Sequence, residues 1–276
     1  MLAMIVRHRD DSGMTATTDV KPQAAAQRQP YDRAEVPTAL GLGPAAFQDP
    51  DVQRFLHQGY LVIDQAIDQD TVIALRSALD GVASRRPGQE IIHSLLEEDD
   101  RFATLLEVPA VMSRLTAILG TCMQLHSATA RITTSGHPDQ DWHRDGPWPM
   151  DPVGVPYGGI PAQINCGFYL DIEPEMGAFV CLPGSHRAPF RPPKGHAPFP
   201  DEIHLVPRPG QAVLFDGWLF HRGGANRSNG VRRTCLMCYQ HAWMKSRERF
   251  DGPRVAQLRA TGTARTRLLL GGVSSW

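Results

Sequence analysis

The segment Asp141-Trp142-His143-Arg144-Asp145-Gly146 carries the residues with the clearest chemical potential. On an extended chain the side chains alternate with period two, so His143 and Asp145 project to one face and can share a metal ion. An imidazole nitrogen and a carboxylate oxygen are two of the three ligands of the 2-His-1-carboxylate facial triad, which leaves one face of an octahedral iron open. Spacing alone does not select this site, because His8-Arg9-Asp10 has it too. The candidate third ligand is His221, which ends the apolar stretch beginning at Leu214. Downstream, Asn226-Arg227-Ser228-Asn229-Gly230 reads as a turn feeding a strand in which Arg232 and Thr234 share one face and Arg233 takes the other. A guanidinium inside a pocket suits a carboxylate, which it binds through two parallel charge-assisted hydrogen bonds.

These residues need a scaffold, and the chain can build one. It has 276 residues, 42% hydrophobic and 21% charged, which is ordinary globular usage. A net charge of −1 supplies no field for nucleic acid or an anionic membrane. No apolar run approaches the roughly 18 residues of a membrane span, and the opening Met1-Leu2-Ala3-Met4-Ile5-Val6 is too short for a signal segment. A cytoplasmic location is expected. Five cysteines, an odd number, read as reduced thiols. Residues 1–47 hold four prolines and little periodicity and read as a flexible tail, leaving 48–276 as the domain. Within the tail, the run Gly41 to Ala46 is half of a dinucleotide fingerprint, but no strand precedes it and Pro44 interrupts it.

From Asp49 the pattern changes. Phe55 and Leu56 fall on a short helix, Tyr60-Leu61-Val62-Ile63 reads as a strand, and Val72, Leu75, Leu79 and Val82 recur at helical spacing. A second long helix covers 108–119, ended by Gly120. Short strands follow at 124–133, 162–171, 178–182, 211–215, 218–221 and 231–241. Helices first and strands after predict a mainly β domain with packed helices.

The order of these features resembles the phytanoyl-CoA dioxygenase family of iron(II)- and 2-oxoglutarate-dependent oxygenases. The resemblance rests on Gly59-Tyr60-Leu61-Val62-Ile63, the His143-Arg144-Asp145 pair, and the segment Gly177-Ala178-Phe179-Val180-Cys181-Leu182-Pro183-Gly184-Ser185-His186-Arg187. It closes with His221, Asn226 and Arg232. It implies a double-stranded β-helix, a cupin-like jelly roll of two packed sheets with the metal at its mouth. It further implies that His143, Asp145 and His221 ligate Fe(II), that 2-oxoglutarate chelates the metal, and that Arg232 pairs with the far carboxylate. O2 completes the chemistry, which releases succinate and CO2 and usually leaves a hydroxyl on the substrate. Two departures stand out. The family often has Ser or Thr two residues after the distal His, where this chain has Gly223, and Thr234 is the compensating hydroxyl. Near the polar residue the family often carries before its first ligand pair stands His126, either a hydrogen-bond partner of 2-oxoglutarate or a core residue.

Other motifs are discounted. His-Arg-Asp opens a kinase catalytic loop, but Met150 stands where that loop needs Asn. Cys235 and Cys238, three apart on a strand, point to opposite faces and make no metal or redox pair. Ser185-His186 lies in a turn without the nucleophile elbow. Trp142, Trp148, Tyr157 and Trp218 flank the ligands and are read as substrate walls. They predict a small, largely apolar substrate, such as a secondary-metabolism intermediate, and not a protein, a nucleic acid or a free amino acid; a coenzyme A thioester and the oligomeric state stay open. Asp145 argues against halogenation, which in this scaffold needs a small residue at the carboxylate position. Epimerisation, desaturation and cyclisation use the same triad and stay open beside hydroxylation. A non-catalytic cupin-like binding protein is disfavoured by the intact triad and Arg232, as is a zinc hydrolase by Arg232 alone.

Overall fold

A computed structural model describes residues 49–146, 161–171 and 173–271. The tail expected over 1–47 lies outside them, as do Trp148 and Tyr157. Asp49 accepts the Asp51 amide at 2.8 Å and starts helix α1 (Pro50–Gln58), whose proline sits where a missing N–H is harmless. Gly59 ends the helix at φ 83°, against the His186 ring, and turns the chain into β1 (Tyr60–Ile63). In α2 (Gln69–Arg85) the Asp68 carboxylate accepts the Thr71 amide at 2.7 Å. The helix buries Val72, Leu75, Leu79 and Val82, the stripe its periodicity singled out. Then follow β2 (Ile91–Ile92), two short 3-10 segments, α3 (Pro109–Leu119), β3 (Met123–Thr133), β4 (Gln163–Asp171), β5 (Phe179–Cys181), β6 (Ile203–Leu205), β7 (Ala212–Asp216), β8 (His221–Gly223), β9 (Arg232–His241), α4 (Pro253–Thr261) and α5 (Ala264–Leu269).

The strands form the expected jelly roll. A six-stranded sheet of order β1-β7-β4-β9-β3-β2 faces a three-stranded sheet of order β6-β5-β8, and the pairings are antiparallel. The two faces of the large sheet differ in kind. One presents Ile164, Cys166, Phe168, Leu170, Cys235, Met237 and Tyr239 to the helices and shares a single core with Leu75, Leu79 and Leu115. Cutting one of these buried leucines to alanine costs about 2–5 kcal/mol in such cores. The other face carries Arg131, Gln163, Asn165, Tyr169, Arg232 and Thr234 towards the small sheet. At one end Phe179 and Phe215 join the sheets, with ring centroids 4.8 Å apart.

Of the strands expected from the sequence one differs, and β2 and β6 were not among them. Residues 218–220 are not strand, and β8 begins only at His221. The Asp216 carboxylate accepts the Trp218 amide at 2.8 Å and the Asp216 carbonyl accepts the Leu219 amide at 2.9 Å, which folds the chain into a tight turn. Among the described residues no helix is long and apolar enough to cross a membrane.

Candidate metal centre and its cavity

The segment carrying His143 runs beside β8 as an added strand. The Gln140 amide donates to the Gly223 carbonyl (2.9 Å), His143 and His221 exchange backbone hydrogen bonds (3.0 and 3.1 Å), and the Asp145 amide reaches the Gly217 carbonyl (2.9 Å). This antiparallel bridge sets the two imidazoles side by side, with centroids 4.3 Å apart. Because Asp145 is two residues from His143, its carboxylate joins them, and ligand atoms of all three lie within 4.8 Å of one another.

The hydrogen bonds around the cluster prepare it for a cation. His143 Nδ1 lies 2.8 Å from the Asp141 carbonyl and His221 Nδ1 lies 2.9 Å from the Leu219 carbonyl. A carbonyl only accepts, so each Nδ1 carries the proton and each Nε2 presents a lone pair. Those Nε2 atoms stand 3.9 and 3.4 Å from the Asp145 carboxylate oxygens. Asn165 donates to Asp145 Oδ2 at 2.8 Å and fixes the carboxylate from the large sheet. Desolvation raises the Asp145 pKa, but the facing His221 and His143 overcome it and hold the acid at about 2. Desolvation and the neighbouring His221 push His143 down to about 4. Near neutral pH the set therefore offers an ionised carboxylate with neutral His143, the forms that bind a divalent metal. Two nitrogens, one oxygen and an open side fit iron(II).

The cluster opens into a cavity of about 110 Å³. Arg232 and Thr234 of β9 line it with Tyr169 and Arg131, and Phe179, Phe215 and Leu236 supply apolar wall. Arg232 is 6% exposed, and its Nη1 donates to the carbonyls of Gly177 (2.7 Å) and Gly224 (3.2 Å). Gly177 has φ 89°, and a Cβ there would collide with the Gly224 and Ala225 carbonyls as well as with Arg232 Nη1, so only glycine lets these loops close around the guanidinium. Among the described residues no carboxylate pairs with Arg232, whereas Arg131 is matched by Glu90 at 2.6 Å. A buried cation without a partner is costly and marks a place for an anion. Arg233 points the other way, to Asp80 (2.7 Å) and Asp171 (3.0 Å).

The structure thus brings His143, Asp145, His221, Arg232 and Thr234 to one cavity. It does not bring Trp142, Trp218 or His126 there. Trp142 alternates to the face opposite His143, where its indole donates to the Ala197 carbonyl (2.8 Å) and packs on Phe199. Trp218 sits in the tight turn under the Arg144 guanidinium, 5.2 Å from its ring. His126 falls where the pairing of β3 with β9 shifts between Leu125 and Ser127, and the bulge turns its ring to Gln240 (2.8 Å). Sequence reasoning missed Tyr169, Phe179 and Phe215 as lining and Asn165 as the partner of Asp145.

Arg144, between the two ligands, anchors their segment on the far side. It donates to the Ser185 (3.2 Å) and Ala188 (2.7 Å) carbonyls and lies over the Trp218 and Phe220 rings. Nearby, Asp216 is 1% exposed, and its Oδ2 has no hydrogen-bond partner among the described residues. Burial pushes its pKa up to about 7, against the Trp218 amide and Arg144, which lower it. The folded state therefore keeps a proton that the unfolded chain releases near pH 4, so this group's contribution to stability falls between pH 4 and about 7 and is level above. Asp216→Asn is expected to remove that slope, worth up to about 4 kcal/mol. Urea unfolding of both proteins from pH 4 to 8 checks it. His143 and His186, whose lowered pKa values give the opposite slope, titrate in both proteins and cancel in the difference.

Fold and site together define a jelly-roll protein with a candidate 2-His-1-carboxylate centre. Residues 55–234 match the phytanoyl-CoA dioxygenase (PhyH) family, and the chain belongs to that family and with it to the iron(II)- and 2-oxoglutarate-dependent oxygenases. The uncharacterised protein Rv1501 of Mycobacterium tuberculosis is 25% identical over 240 residues, covering 77% of this chain and 82% of its own. Dioxygenase trt7 of Aspergillus terreus is 47% identical over 60 residues, covering 21% of this chain and 20% of its own. HygX of Streptomyces hygroscopicus, solved with nickel and 2-oxoglutarate bound, superposes with a TM-score of 0.62 at 18% identity, covering 72% of this chain and 88% of its own. HygX has also been solved with hygromycin B bound.

Proposed function

We propose that this protein hydroxylates a small organic molecule, with His143, Asp145 and His221 holding iron(II) and with Arg232 and Thr234 holding the far carboxylate of 2-oxoglutarate. The observation that carries the reading is the buried, unmatched Arg232 in the same cavity as a converging His-Asp-His set. The 2-oxoglutarate bound by HygX supports it. Bound iron(II) would couple cleavage of 2-oxoglutarate by dioxygen to oxidation of a C–H bond.

The chain's own residues supply the geometry. Leu219 and Asp141 fix the two imidazoles through their carbonyls, and Asn165 fixes Asp145. Arg232 offers the parallel donors that a carboxylate accepts. Burial keeps the Tyr169 phenol protonated, so it adds a neutral donor beside Arg232. Phe179, Phe215 and Leu236 keep water from that charge pair, which strengthens it. The largely apolar substrate expected from four aromatic walls has lost Trp142 and Trp218 as support.

The test is succinate formation by iron-loaded protein with 2-oxoglutarate over a small-molecule panel. Turnover is expected to require both 2-oxoglutarate and dioxygen, and to place label from ¹⁸O₂ in the product. Succinate release with an unlabelled, desaturated or epimerised product would replace hydroxylation. No dependence on dioxygen would overturn the oxidation itself.

A further inference from the structure

A second cavity, of about 170 Å³, shares Asp145, Arg131 and Leu236 with the first. Its wall comes from the polar face of the large sheet: Ser127 and Thr129 of β3, Gln163 and Asn165 of β4, and Cys238 of β9. Arg247, in the loop after β9, completes it. Resting on the reading above, which gives Arg232 to the cosubstrate, we propose that this second cavity holds the substrate and that the substrate is a small organic acid whose carboxylate is bound by Arg247.

Three observations carry the assignment. First, Arg247 is the cation of this wall that makes no ion pair among the described residues; it is an exposed residue, and the acid whose charge it feels across the cavity is Asp145, which belongs to the metal-ligand set. Among these residues its guanidinium donates only to Ser127 Oγ at 3.1 Å, while Arg131 is already held by Glu90. Second, Glu248, the nearest acid in sequence, is committed elsewhere. It accepts the Ser94 amide (2.9 Å) and the Ala128 amide (2.9 Å), so it does not neutralise its neighbour. Third, the main chain at Arg247 is pinned. Its amide and that of Glu248 donate to the His126 carbonyl (3.0 and 3.1 Å) at the bulge of β3, which spares the cost of ordering a loop on binding.

The chemistry of the wall narrows the anion. One guanidinium with neighbouring Ser127 and Thr129 hydroxyls matches the two oxygens of a carboxylate. A phosphate monoester, near two negative charges, asks for more cation than one unpaired guanidinium offers. Ile91, Ala130 and Leu236 give the hydrocarbon part an apolar surface. With the acid group held at Arg247, the hydrocarbon end, which bears the C–H to be oxidised, is left to face Asp145, the metal-ligand candidate that both cavities share.

The experiment titrates zinc-loaded protein with a panel of alkyl and aryl monocarboxylates of four to twelve carbons, each beside its methyl ester and the matching phosphate monoester. At least one acid is expected to bind at least tenfold tighter than its ester and its phosphate counterpart. Arg247→Gln is expected to erase that preference, Arg247→Lys to keep part of it, and Arg249→Gln, on the neighbouring surface, to leave it intact. Equal binding of acids and esters, tighter binding of the phosphates, no binding by any acid, or a preference that survives Arg247→Gln would each overturn the proposal. Titration with 2-oxoglutarate is run separately and is expected to change less than twofold in Arg247→Gln. A failure of the wild-type protein to bind 2-oxoglutarate would strike the cosubstrate reading, whereas the acid-over-ester preference is read without it.

Discussion

Alanine in place of His143, Asp145 or His221 is expected to abolish 2-oxoglutarate-dependent oxidation and to weaken iron(II) binding by well over the 10- to 100-fold typical of losing an outer partner. An outer partner is present for comparison. Asn165→Ala, which frees the Asp145 carboxylate to rotate, is expected to fall within that 10- to 100-fold range. Metal titration followed by melting of the metal-free proteins separates loss of a ligand from loss of the fold. Asp145 and His143 border the open cavity and fill no hydrophobic core, so their variants should melt near the wild type. His221 is 5% exposed and packs on Phe215 (centroids 4.7 Å) and Phe179 (5.5 Å), so its variant should also lose some stability through the space it leaves. Wild-type metal affinity in all three alanine variants would overturn the assignment of the centre.

Arg232→Gln is expected to raise the 2-oxoglutarate requirement by roughly 30-fold to several thousand-fold. Removing one partner of a buried, hydrogen-bonded charge pair costs about 2–5 kcal/mol, and each 1.4 kcal/mol is a factor of ten. The burial of Arg232 puts the loss in that class and not in the range of surface pairs. Arg233→Gln should leave 2-oxoglutarate binding unchanged. Its cost is to stability, through the ties that bind β9 to Asp80 of α2 and Asp171 of β4. The two variants titrated with 2-oxoglutarate, beside their melting temperatures, give opposite rankings on the two axes. A larger effect of Arg233→Gln on 2-oxoglutarate would move the role to that residue.

How much of this was legible follows from one rule, the period of two along a strand. It placed His143 with Asp145 and separated Arg232 from Arg233, because each decision needed only the parity of neighbouring positions. The same rule, applied to Trp142, assigns it to the face opposite His143; reading it as a substrate wall followed proximity in sequence instead. Asn165 and Tyr169 were also within reach. In β4, Gln163, Asn165 and Tyr169 alternate with Ile164, Cys166, Phe168 and Leu170, so the polar face is written in the sequence. It was hidden because both faces of that strand are buried, which gives no exposed side to set the phase. His126 was beyond the rule, since an extra residue in β3 reverses parity and nothing local announces it. Helices α4 and α5 lacked a long enough stripe to read, and β2 and β6 were too short.

The backbone bridge between His143 and His221 has a consequence for biosynthesis. The two histidines come from separate parts of the chain, and β3, which has only the two-residue β2 beside it until then, gains its long partner when β9 exists. A nascent chain that stops short of β8 holds one histidine and one carboxylate, a pair that grips a divalent cation weakly and in no fixed orientation. Tight metal capture must therefore wait until nearly the whole jelly roll has left the ribosome and closed. On the proposed ligand set, an incomplete chain lacks the third metal ligand and the Arg232 side of the cavity together, so a half-made protein offers a finished site to neither metal nor cosubstrate.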